Sequence, residues 1–328
     1  MTITKEELRQ AMSDAGIVFD GMKEIISDSI TAPNVGVPTV LTTYVDPAIV
    51  RILTAPRNAR KIFTERKKGD WTTSSAMFRA IEGTGSTTPY ADFSNAVTSD
   101  INVVYPERDN YIFQTTIRYG EREMALLGKA SVELASEKQI QASEILDTDM
   151  NKFYLKGVAG KRSYGLLNDP NLNADISPAT VRTSVVLWSA KTTVEIYNDI
   201  ISIFSELATN SAGRISVDSD LVLACPPAIM VLLGKTTDYG KSVIDMLKNY
   251  FTNLEFVTLP ELKAGDTNSV LMCAKTVDGF PVCELAFSEK MRSHQLIPEL
   301  SSYRQKFSAG TYGAVVLRPF AIQIMSGV

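Results

Sequence analysis

The stretch Leu233 to Leu247, LGKTTDYGKSVIDML, carries two glycine-lysine-hydroxyl triplets, Gly234-Lys-Thr and Gly240-Lys-Ser. These are the residue types with which a P-loop cradles phosphates, provided that four residues stand between its first glycine and the Gly-Lys-Ser/Thr. Here Gly234 and Gly240 are separated by Lys235, Thr236, Thr237, Asp238 and Tyr239, one too many, and the position five before Gly234 is Ile229. The preceding PPAIMVLLG opens on a proline pair, which suits a helix start and not a strand. The stretch therefore reads as a helix-ending glycine, a polar turn and the entry to a second helix, KSVIDMLKNYF. Gly83-Thr-Gly85 has the first two glycines of a dinucleotide fingerprint, but the third is absent and no helix pattern follows.

Other chemistries find equally little to build on. His294 is the one histidine, so any Ser-His-Asp or Cys-His arrangement must use it, and EKMRSHQLIPEL around it holds no nucleophile motif. Cys225, Cys273 and Cys283 lie in apolar, strand-like contexts with no CxxC pair, and read as reduced core residues. With one histidine to join them they predict no metal site. Glu133, Glu137, Lys138, Glu144, Asp147 and Asp149 read as a solvated helix face, not paired catalytic carboxylates. The expectation is a protein with no catalytic residues, cofactor or metal.

The elements that must carry these residues are unusual in their order. Lys5 to Ala15 predicts a short helix, after which SITAPNVGVPTVLTTYVD loses helical periodicity and reads as an extended arm that crosses a neighbouring surface, with Val35, Val37, Val40, Leu41 and Tyr44 facing it. From Arg60 to Phe93, Trp71, Thr73, Ser75, Met77, Arg79 and Ile81 alternate before a glycine-threonine turn and predict a long, rather polar hairpin. Alternation resumes with Tyr111, Phe113, Thr115 and Ile117 in one strand. Between Gly120 and Gly157 the period changes to three and four, through Leu127, Ala130, Leu134, Ala142, Ile145, Leu146, Met150 and Phe153, which predicts one helix of roughly 50 Å. A mixed α/β region of about domain size follows, with helices near 192–209, 227–234 and 241–251, then two closing strand segments.

With 33 Lys and Arg against 37 Asp and Glu, the chain has a formal charge of −4 and no basic field to hold nucleic acid, so DNA contact is expected to be weak and non-specific. MTITKEELRQAMSDAG lacks the apolar run of a secretory signal, and LVLACPPAIMVLLG is interrupted by Pro226 and Pro227, so no membrane span is expected and the chain reads as cytosolic at synthesis.

The order of arm, hairpin, strand, very long helix, inserted α/β unit and returning strand resembles the major capsid proteins of tailed bacteriophages, of the Hong Kong 97 type. Locally, GLLNDP after the long helix, Trp188 ahead of Thr192, Thr193, Glu195, Ile196, Asp199 and Ile200, and the closing TYGAVVLRPFAIQIMSGV look similar to segments of that family. The resemblance implies an α+β fold with an N-arm over 1–46, an extended hairpin (E-loop) over 60–100, and a peripheral P-domain of 47–59, 101–175 and 300–328 carrying a spine helix at about 121–156. An axial A-domain would cover 176–299.

It implies a shell protein of the phage virion that assembles with itself into pentamers and hexamers around packaged DNA. No long charged helical precursor region precedes the arm, so any scaffolding function would lie in another protein or in a segment already removed, and portal or decoration proteins would be separate chains. Subunit contacts are expected from Trp71, Met77, Phe78, Tyr90 and Phe93 in the hairpin, Val37, Val40 and Tyr44 in the arm, and Lys235, Asp238, Tyr239 and Lys241 in the axial loop. Some relatives cross-link through a lysine-asparagine isopeptide bond, and Lys67 and Lys68 sit where a donor could, though lysines there read first as solvated charges. The alternatives are an encapsulin-like compartment shell, another virion or tail component and, remotely, a nucleotide-binding enzyme.

Overall fold

The computed structural model describes residues 57–90, 92, 97–129, 134–181, 186–237, 240–265 and 267–328. The expected arm, its Val37, Val40 and Tyr44, and also Phe93, Asp238 and Tyr239 lie outside these residues.

The chain enters through a short helix, α1 (Ala59–Ile62), and strand β1 (Glu65–Lys67), followed by β2 (Ser75–Met77), β3 (Ala80–Thr84), β4 (Asp100–Val104), β5 (Glu107–Asp109) and β6 (Tyr111–Gly120). β2 pairs with β5 and β3 with β4, both antiparallel, so one ladder runs up from Ser75 and returns to Asp109. The hairpin is thus shifted from the 60–100 expected: Arg60 lies in α1, Glu65–Lys67 pairs into a sheet, and the return strand is 100–109. The alternation beginning at Trp71 precedes the ladder because Gly69, at φ 60°, and a turn from Asp70 to Thr73 come first.

Two helices follow, α2 (Glu121–Lys129) and α3 (Leu134–Lys156), with the four positions between them outside the described residues. α3, 23 residues long, is the longest described helix and lies within the spine expected at about 121–156. It buries Ala142, Leu146, Met150 and Tyr154, one per turn, while Ile145 turns out to solvent. β6 alternates as its sequence predicts: Tyr111, Phe113, Thr115, Ile117 and Tyr119 face inward, and the ring of Phe153 on the spine stands edge-on to Tyr111 and Phe113 at 5.1 and 4.9 Å.

The remaining elements are α4 (Thr193–Asn210), β7 (Leu221–Cys225), α5 (Pro227–Leu232), α6 (Val243–Tyr250), β8 (Leu254–Thr258), β9 (Lys263–Ala264), β10 (Thr267–Ala274), β11 (Thr276–Val277), β12 (Phe280–Pro281), β13 (Cys283–Ser293), β14 (Ile297–Pro298), β15 (Ser302–Val316) and β16 (Ile322–Ser326). Two sheets organise them. In the first, β15 is central: β6 pairs with one side, β13 and β14 with the other, and β1 lies parallel to β13. In the second the order is β16-β10-β7-β8, with β7 and β8 parallel because α5 and α6 form the crossover. β7 is buried at all five positions, which explains its unbroken LVLAC.

Sheet membership crosses the line expected near residue 300 in both directions. β13, read from sequence with the axial unit, pairs with β15, and β16 pairs with β10. The two closing strand segments also split elsewhere than the sequence suggested, since Ser302 to Val316 is one strand of 15 residues and the break comes at the Pro319–Ala321 turn.

Local sequence sets the helix ends. Thr192 accepts from the amide of Glu195 while the Glu195 carboxylate accepts from the amide of Thr192 at 2.7 Å, and Ser242 and Asp245 repeat this capping box at α6. α4 then buries Ile196, Ile200, Ile203 and Leu207 along one face.

Candidate assembly surfaces

The glycine-lysine stretch holds no phosphate cradle. Gly234 lies just past α5, and Lys235 turns its ammonium onto main-chain carbonyls of the neighbouring turn, with Ser189 O at 2.9 Å and those of Trp188 and Lys191 at 3.4 Å. Thr237 N donates to Lys241 O and Gly240 N to Thr237 O, both at 2.9 Å, so the segment is a closed turn hung from a helix C-terminus. That end of a helix repels anions. Gly83 lies in β3, paired with β4.

His294 Nε2 lies 2.8 Å from Ser308 Oγ, and its ring meets Trp71 edge-on at 6.1 Å. Ser308 is buried in the twice-paired stretch of β15, so no substrate reaches it. The three cysteines are free and buried, and burial pushes the thiols of Cys225 and Cys273 up to about 12 and that of Cys283 well above its ordinary value. Among the described residues no group of three His, Cys, Asp or Glu could hold a metal, and no helix is long and apolar enough to cross a membrane.

What the surface does carry is exposed apolar side chains on the hairpin. Met77 is 70% and Tyr90 91% exposed, a cost in water that a lone subunit has no means to recover. Phe78, expected beside them as a contact, instead packs on Tyr312 in the subunit's own interior, because strand alternation turns it away from Met77. Trp71 is half-buried under the Arg292 guanidinium, 4.8 Å from its ring. Sequence reading missed Val97, Ile101 and Tyr105, all exposed on the return side of the hairpin. Their signal was the alternation Ile101, Val103, Tyr105, hidden because the hairpin was ended near Phe93. In the axial loop Lys241 is exposed, whereas Lys235 is spent on its own chain's carbonyls. Of the two lysines at the hairpin base, Lys67 is exposed and Lys68 lies 3.2 Å from the buried Glu284 carboxylate.

The hairpin's base is gripped from both faces. The spine ends at Gly157, whose φ of 62° a side chain would strain, and the chain folds back so that Leu166 N and Leu167 N donate to Tyr154 O and Leu155 O at 2.8 and 2.9 Å. Asn168 closes this turn: its Oδ1 accepts from Gly165 N at 2.6 Å and its Nδ2 donates to the otherwise orphaned Lys156 O at 2.7 Å. Asp169 next to it accepts from Arg108 Nη2 at 2.7 Å, a pair almost fully shut from water, and the Arg108 guanidinium lies 4.8 Å from the centre of the Tyr164 ring. On the outer face Arg162 Nη1 donates to Glu107 at 2.5 Å and Nη2 to Asp109 at 3.0 Å. The Arg162 amide and guanidinium together hold the Asp109 carboxyl below its ordinary range.

A spine helix across a long-stranded sheet, a second α/β sheet and a protruding apolar hairpin define a shell-building subunit of the Hong Kong 97 type. The same fold occurs in the capsid of Myoviridae phage XM1, at 12% identity over 90% of this chain and 100% of that one, with a TM-score of 0.73. It also occurs in the capsid of a native GTA particle, at 10% identity over 87% and 94% with a TM-score of 0.58, and in Mycobacterium phage Bobi, at 9% over 88% and 95% with a TM-score of 0.58. The family described as Pa193 gp26 major capsid protein matches residues 28–327, and the chain belongs to it. No curated protein matches. The protein is thus a major capsid protein, a structural component of a virion that builds its shell from copies of itself, and not an enzyme.

Proposed function

We propose that the hairpin is the principal contact by which one copy holds the next, laying Met77, Tyr90, Ile101 and Tyr105 across a neighbouring subunit. The observation that carries this is the exposure of that apolar set on and around a two-stranded ladder that joins neither of the two larger sheets. Contacts of this heterologous kind close a shell only when each interface geometry allows it, and permanent ones typically bury more than ~2,000 Å². The arm at 1–46 adds a second contact. The spine and the β15 sheet form the peripheral part, and the β7 sheet, with Lys241 on its loop, gathers around the five- and six-fold axes of pentamers and hexamers. Scaffolding, portal and decoration functions belong to other proteins, synthesis takes place in the host cytoplasm, and packaged DNA meets the net acidic chain only through weak non-specific contact. The encapsulin-like reading has no observation that favours it.

The test replaces 80–104 by an Asn-Gly turn, which closes β2 onto β5 without the ladder above them. The expected product is a folded subunit with an unchanged circular dichroism spectrum that makes no closed shells in electron micrographs. Normal shells from this variant would remove the hairpin from the interface.

A further inference from the structure

We propose that Asp169 is a positioning residue for shell assembly: through Arg108 it fixes the direction in which the hairpin leaves the subunit. The inference rests on the hairpin contact proposed above. β5 is the last strand of the ladder before the chain enters β6, so its orientation sets that of everything beyond. Its central residue, Arg108, points inward and ends on Asp169, whose side chain is closed to solvent, while Glu107 and Asp109 point outward to Arg162. Both grips come from one turn, residues 158–170, and that turn is tied to the spine by Asn168 and to the central strand by Ala314 N donating to Tyr164 O at 2.9 Å. Asp169 is further held by Asn171 N on its Oδ1 at 3.0 Å. The hairpin is therefore referenced to the end of the spine helix and not merely attached to the sheet.

Lever length makes the joint matter. Extended chain spans at most about 3.3 Å per residue, so Tyr90, a dozen positions past Phe78 and six past the end of β3, stands at most about 40 Å out, where about 10° of play at the base moves it by up to about 7 Å. That exceeds the ~4.8 Å spacing between paired strands, enough to lose register with a neighbour. The exposed Arg162 pairs are screened and hold such a lever weakly. The desolvated Arg108 pair with its ring stacking is the stiff member, since breaking it strands a buried charge.

The experiment compares Asp169→Asn with a control destabilised elsewhere, Val222→Ala in the buried β7 strand, the two matched for subunit melting temperature. In electron micrographs Asp169→Asn should lose closed shells by about tenfold and scatter their diameters, while Val222→Ala keeps the wild-type diameter. Arg108→Lys, which keeps the charge but loses the planar fork, should give the same scatter and decides the matter if Asp169→Asn does not fold. Uniform wild-type shells from either folded variant, or equal losses in the matched control, would overturn the proposal. If truncating 80–104 abolishes shells while Asp169→Asn builds them normally, the hairpin contact stands and only the joint fails.

Discussion

Lys191 and Asp199 form an ion pair at 2.6 Å in which both side chains are closed to solvent. Both partners make further hydrogen bonds: Asp199 also accepts from Trp188 Nε1 at 2.8 Å and Ala179 N at 3.1 Å, and Lys191 donates to Ala179 O at 2.6 Å. The Trp188 signature in the sequence is therefore a buried polar knot at the start of α4, onto whose carbonyls Lys235 closes from outside. Removing one partner leaves an uncompensated buried charge, so Asp199→Ala should lower subunit stability by about 3–5 kcal/mol in chemical denaturation. Lys191→Met with Asp199→Leu removes both charges and should lose less; a double variant weaker than Asp199→Ala would refute the ionic account.

The two lysines of the axial loop should separate in the same assays. Lys235→Ala takes the ammonium from three carbonyls of the 188–191 turn, of which Trp188 O keeps the Lys191 amide at 3.3 Å, and should lower the subunit melting temperature. Lys241→Glu touches an exposed side chain and should leave stability within about 0.5 kcal/mol while disturbing capsomers in mass photometry. Unaffected capsomers would make the loop a plain surface turn.

Burial of all three thiols predicts that Ellman's reagent at pH 8 labels none of them in the native subunit and three after denaturation. A folded-state pKa of about 12 for Cys225 and Cys273, raised by desolvation above the ordinary 9.0, means the folded form holds these protons longer than the unfolded one. Their contribution to stability is complete below about pH 9 and is lost as the pH climbs toward 12. Alkaline melts should therefore fall in that window, and less so in Cys225→Ala. Rapid native labelling would contradict the packing of β7 and β10.

The helices near 192–209 and 241–251 and the face of β6 were legible because their signals are local: helical spacing, and the alternation from Tyr111 to Ile117, lie within a few residues of one another. Strand partners were not, because the LAF of β13 is as apolar as an axial strand and only a tertiary contact tells which sheet receives it. The hairpin's return was missed for the same reason, Ala80 meeting Val104 across a loop of unremarkable composition. Arg108 and Asp169 are 61 positions apart, and no pattern marks two charges for burial together.

The neighbouring residues Met77 and Phe78 offer the sharpest division between folding and assembly. Phe78 is 8% exposed and packs edge-on to Tyr312 at 6.5 Å, so Phe78→Ala should cost the isolated subunit about 3–5 kcal/mol. Met77, one residue back and on the opposite face, touches no core cluster, so Met77→Ser should leave the subunit's melting unchanged. Combined with Tyr90→Ser it should reduce shell yield at a given protein concentration, since under the proposed hairpin contact both side chains lose apolar area that would be buried against a neighbour. Light scattering of assembly reactions beside thermal melts of the same preparations measures the two effects separately. A fall in melting temperature for Met77→Ser, with assembly intact, would reverse the assignment of the two faces.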